Sequence, residues 1–122
     1  MVIPAAMGGS HITTRQTTPP VLSTTFPGDI AVSFSVNATD TAGIVDVAII
    51  NTATNVEFTI TFNQPYPTQP VVVVSIEADL GVAASISDLS FRSMSMSQFT
   101  LGFVTPNAAG MRIHYHVLGL ST

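Results

Sequence analysis

Residues 56–77 read VEFTITFNQPYPTQPVVVVSIE, and this stretch decides the fold. Val56, Phe58, Ile60 and Phe62 are apolar, whereas Glu57, Thr59 and Thr61 between them are polar. A period of two sends one row of side chains to a core and the other to water, which is the mark of a half-buried strand. In the connector after it, Pro65 and Pro67 forbid a helix and favour an extended or turning path. Pro70 stands at the first position of the next run, where a strand tolerates proline because no ladder donor is needed. Val71 to Val74 are four consecutive β-branched residues, stiff at χ1 and suited to a pleated surface. Such a run predicts a strand covered on both faces, one by the chain's own core and the other by a neighbour.

The same code extends in both directions. Upstream, Ile30, Val32, Phe34 and Val36 alternate with small or polar residues, and Ile44–Ile50 forms a second run beyond the turn cluster 37–43. Downstream, residues 85–97 read as a strand with Met94 and Met96 on one face and serines on the other. Phe99, Leu101 and Phe103 point inward from Gln98–Val104, and Ile113, Tyr115 and Val117 do so from Met111–Leu118. Proline and glycine in residues 105–110 reverse the chain between these last two. The sum is an all-β antiparallel β-sandwich of about six to seven strands over residues 29–122, with no convincing helix.

Residues 1–28 differ. They hold four prolines, three glycines, many Thr and Ser, and a single charge, Arg15. No strand or helix period survives there, so the reading is an extended N-terminal arm that spans up to about 90 Å and orders on a neighbouring subunit or lattice.

Composition narrows the function. Of 122 residues 46 % are hydrophobic, but only 8 % are charged against roughly 25 % in an average soluble domain. Lysine and cysteine are absent. A surface so poor in charge does little to keep copies apart, which points to a protein covered by an assembly. A net charge of −4 speaks against nucleic acid, whose phosphates need clustered Lys and Arg. No apolar run reaches the length of a membrane span, and the first ten residues lack the basic start of a secretory signal.

Four segments resemble the H-type lectin fold: Phe58-Thr-Ile-Thr-Phe62, Pro70-Val-Val-Val-Val74, Phe99-Thr-Leu-Gly-Phe103 and Tyr115-His-Val-Leu-Gly119. Together they cover about half of the chain. The resemblance implies a small antiparallel sandwich of six strands that forms trimers, in a family whose domains recur on phage particles. The chain departs from the pattern at Tyr115, where the family usually carries Trp, and the family's sugar-contacting residues match no particular positions here.

Candidate chemistry is sparse. His114 and His116 lie two apart on a strand and point the same way. On the three-fold axis that the resemblance implies, three copies would offer six imidazoles to a transition metal, although no carboxylate stands nearby in sequence to orient them. Glu77, Asp79 and Asp88 lack the alternation of oxygen ligands that a Ca²⁺ loop uses. No serine sits in a nucleophile elbow, so no enzymatic activity and no cofactor is expected. The residues expected to make interactions are Arg15, Tyr66, Pro70, His114 and His116. The expected function is that of a non-enzymatic bacteriophage virion protein, a homotrimeric capsid decoration or cement protein bound to the major capsid protein. The alternative is a receptor- or carbohydrate-binding tip domain of a tail fibre, with a host surface glycan held by loop residues such as Tyr66, Asp79, Asp88 and Asn107.

Overall fold

The computed structural model describes residues 16–24, 30–35, 37–49, 55–77, 86–104 and 111–120. Eight strands run in the order β1 (Val21–Thr24), β2 (Ile30–Phe34), β3 (Ala42–Ile49), β4 (Asn55–Thr61), β5 (Val71–Glu77), β6 (Ser87–Met94), β7 (Gln98–Val104) and β8 (Met111–Leu118). They form two four-stranded antiparallel sheets, ordered β1-β4-β7-β6 and β2-β3-β8-β5, and the described residues contain no helix. The all-β sandwich read from the sequence is the fold. Its strand count is eight, because residues 21–24 of the stretch assigned to the arm pair with β4 from Val21↔Thr61 to Thr24↔Phe58.

Alternation builds the core. On β4 Val56, Phe58 and Ile60 are buried, on β7 Phe99, Leu101 and Phe103, and on β8 Met111, Ile113, Tyr115 and Val117. Phe99 joins the layers: its ring lies 5.9 Å from Phe62 and Phe91 on its own side and 5.9 Å from Tyr115 of the opposite sheet. β7 is buried on its outer side as well, at Thr100 and Gly102. The Thr100 and Thr59 hydroxyls meet at 2.7 Å across the strands, and the Arg92 side chain lies over Gly102, where a Cβ would collide with its Nε.

Two boundaries and the cover of one strand differ from the sequence reading. β3 begins at Ala42 and takes in Gly43, because the Tyr115 ring of the adjacent strand crosses that residue; a Cβ there would stand 2.6 Å from ring carbon Cε1. β6 ends at Met94 instead of Ser97, since Ser95 closes a tight turn into β7. Ser95 donates its N–H to Gln98 O (2.9 Å), and its Oγ accepts from the N–H groups of Ser97 and Gln98, both at 3.2 Å. Met96 therefore sits exposed on the turn while Met94 packs against the core. Finally, β5 is an edge strand: Val72 is buried, but Val71 and Val73 face outward with none of the described residues upon them. Of the two covered faces expected for the valine run, only the inner one is covered by the described residues of the chain. Arg15, Val36, Asp79, Asn107 and the turn 105–110 lie outside the described residues.

Candidate functional site

The register of the β2-β3-β8-β5 sheet sets out its outer face row by row. Glu77, Arg112 and Asp46 form one row, Ser75, His114 and Ile44 the next, then Val73, His116 and Ala42, and last Val71 and Leu118. One end of the face is polar. Arg112 Nε donates to Asp46 Oδ1 at 2.8 Å, and His114 Nε2 pairs with Glu77 Oε1 at 2.9 Å. The other end is apolar: Val71, Val73, Leu118 and Leu120 are 44–55 % exposed.

His114 and His116 share this outer face, as their spacing predicts, but their surroundings differ. His114 has a carboxylate partner 37 residues away in sequence, whereas His116 is flanked by Val73 and Ala42. Glu77 was invisible as a partner because it reaches His114 only through the antiparallel register, in which Ser75 stands opposite His114. Glu77 and Asp88 lie on different sheets, and Asp88 instead pairs with Arg92 at 3.3 Å. Among the described residues of one chain, no group of three or more His, Asp or Glu side chains is arranged to hold a metal ion.

A second feature is a polar junction at one end of the sandwich. Asp40 is buried, and its carboxylate accepts the Asn63 N–H at 2.7 Å and the Gln64 N–H at 3.0 Å. Its own N–H donates to Gln16 Oε1 at 2.8 Å, and its carbonyl accepts from the Tyr66 hydroxyl at 3.0 Å. On the other side of the loop, Phe62 N–H donates to Ser97 O and Tyr66 N–H to Met96 O, each at 2.9 Å. Residues 62–66 are thereby held between two turns. The Tyr66 ring stands edge-on to Phe62, 4.9 Å between centroids, so both its apolar and polar parts are engaged within the chain. Pro70 is buried as well.

Burial pushes the Tyr115 phenol well above its ordinary value, and the Asp40 charge pushes in the same direction. Tyr66 is raised too, first by burial. Both phenols are bound more tightly as neutral groups in the folded chain, and Tyr115 donates to Thr39 O at 2.6 Å. Their contribution is complete below the unfolded value of about 10 and falls as pH rises above it, because the unfolded chain then loses protons that the folded chain keeps. Urea midpoints are expected to hold level to about pH 10 and then drop. Tyr115→Phe should flatten that drop while costing about 1 kcal/mol at pH 7 for the lost hydrogen bond. An alkaline slope identical in Tyr115→Phe would contradict the assignment.

Beside the junction an open groove of about 1070 Å³ runs between the start of the described chain and the β2–β3 turn. Gln16, Thr17, Pro19, Phe34, Asn37 and His116 contribute to its walls. Asn37 holds the turn with a left-handed φ of 61°, a conformation that asparagine tolerates better than most residues. His116 is thus shared by the groove and the outer sheet face. In comparisons with known proteins, no family model, no curated protein and no solved structure matches this chain.

Proposed function

We propose that this chain is a non-enzymatic structural protein of a bacteriophage virion, a homotrimeric decoration or cement protein that stabilises the capsid by covering contacts on its surface. The observation that carries the reading is the exposed apolar end of the outer sheet face, Val71, Val73, Leu118 and Leu120, in a chain with ten charged residues and no lysine. Burial of such side chains between subunits is favourable by roughly 25 cal/mol per Å² of apolar surface, and little charge opposes it. Residues 16–24 already lie along the sandwich, with Pro20 buried, Gln16 bonded to Asp40 and β1 paired to β4. In this proposal residues 1–15 reach the neighbour or the particle.

The test is co-sedimentation of the purified chain with capsids that lack it, and in parallel with host cells. Saturable pelleting with capsids is the expected result, and deletion of residues 1–15 is expected to weaken it at least about tenfold by removing the contacts an ordering arm supplies. A deletion of 1–28 is the wrong cut, since it also removes β1 and the Gln16 contact. Failure to pellet with capsids would contradict the proposal. A second reading, a receptor- or carbohydrate-binding tip, draws support from the groove, whose lining includes both Asn37 and Phe34. Pelleting with cells alone, competed by a free sugar, is what that reading requires.

A further inference from the structure

Each sheet has two edges, and the four edge strands are not alike. β1 has four residues and β2 five, while β6 carries register shifts between Ser87 and Ser90 and between Phe91 and Ser93. Short or bulged edges resist pairing with another chain. β5 is seven residues long, pairs with β8 without a break from Val71↔Leu118 to Glu77↔Arg112, and carries no lysine or internal proline. Among the described residues it has none of the devices that blunt an edge, apart from the charge of Glu77 at its end.

The backbone groups that β5 offers follow from the ladder. Val117 donates its N–H to Thr41 O at 2.7 Å, so on β8 the odd-numbered residues bond toward β3 and the even-numbered ones toward β5. The β5 partners of those even-numbered residues are Val71, Val73, Ser75 and Glu77. Val72, Val74 and Ile76 therefore turn their N–H and C=O groups to the open edge, beyond which no strand lies among the described residues. Val74 and Ile76 are also left half-buried on the core side, unlike Ile113, Tyr115 and Val117 of the adjacent inner strand.

We infer that β5 is a docking edge for β5 of a second copy, paired antiparallel about a two-fold axis at Val74 so that two sheets become one. The occupant is a second copy because, among the described strands, β5 is the one edge of matching length without a bulge. In this register Val72 lies opposite Ile76 of the other copy, and all three edge-facing residues of each chain find hydrogen-bond partners. Pro70, which has no N–H, falls outside the paired segment. Glu77 meets Val71 of the other copy, so like charges never stand opposite. The neighbouring edge covers Val74 and Ile76. A two-fold contact of this kind is separate from the three-fold association proposed above and does not rest on it; it links trimers and does not build one.

The register makes an unusual demand on cross-linking. Val73 lies opposite Ser75 of the other copy in a non-hydrogen-bonded pair, where Cα atoms are about 4.5 Å apart and a disulfide fits. Val73 and Val73, or Ser75 and Ser75, remain on a diagonal of about 7–8 Å, beyond disulfide reach. The chain has no cysteine of its own to compete. Val73→Cys and Ser75→Cys chains are mixed under reductant, equilibrated, oxidised and run on a non-reducing gel. The mixture is expected to give at least about tenfold more covalent dimer than either variant alone. Ser75→Lys, at an exposed position outside the apolar patch, should retain the β circular dichroism spectrum and raise the dissociation constant of the two-fold contact at least about tenfold. No excess of dimer in the mixture, or a Ser75→Lys chain whose two-fold contact is as tight as the parent's, overturns the inference.

Discussion

Phe99→Ala is expected to lower the stability of the fold by about 4 kcal/mol, the largest effect of any single truncation. Phe99 is fully buried on β7, the strand paired to both β4 and β6. Its ring touches three others, and one of these, Tyr115, belongs to the opposite sheet. Truncation to alanine loses the transfer free energy of the ring and leaves a cavity that both layers line. Neither layer can close it, because each is fixed by its own ladder of hydrogen bonds. Against a total of about 5–15 kcal/mol for a domain, such a loss removes between about a quarter and four-fifths of the stability. Urea denaturation followed by circular dichroism measures it, with Val21→Ala at an exposed edge position as the control expected within about 0.5 kcal/mol of the parent. A loss below about 1.5 kcal/mol for Phe99→Ala would mean that the layers do not meet on this ring.

Asp40→Ala is the second large effect, expected near 3 kcal/mol. The carboxylate accepts two backbone N–H bonds at 2.7 and 3.0 Å, and bonds to a charged acceptor contribute about 1.5–3 kcal/mol each. Asn63 and Gln64 are exposed, so water takes up part of what is lost, which holds the figure below the sum of two such bonds. Asp40→Asn keeps one acceptor oxygen and is expected to cost about half as much. The same loop carries Tyr66, whose hydroxyl bonds the Asp40 carbonyl, so Asp40→Ala should also bring faster hydrogen exchange at the N–H groups of Phe62 and Tyr66. If that exchange and the urea midpoint both stay where they are in the parent, the junction is not what holds residues 62–66 in place.

The fold was legible wherever alternation was long enough to count. β4, β7 and β8 each set three or more apolar residues at a period of two, and each buries those residues. β1 escaped because four residues, Val-Leu-Ser-Thr after two prolines, carry too short a pattern; its place comes from hydrogen bonds to β4, which every backbone can make. Asp40 was read as one member of a turn cluster. Nothing local says that its carboxylate will collect N–H groups from 23 and 24 residues away. The pairing of Glu77 with His114 was hidden for the same reason, since a register is a property of two strands and not of either sequence. The valine run was the most telling single signal. Its inner face found the core, and among the described residues its outer face and edge are left exposed.

Sedimentation velocity of the full chain, over a range of concentrations, tests most directly the claim that this protein works by associating with copies of itself. A particle of three chain masses is expected, or a multiple of three where the β5 edges also pair. A single species of one chain mass, 12.8 kDa, at every concentration up to about 100 μM would contradict it.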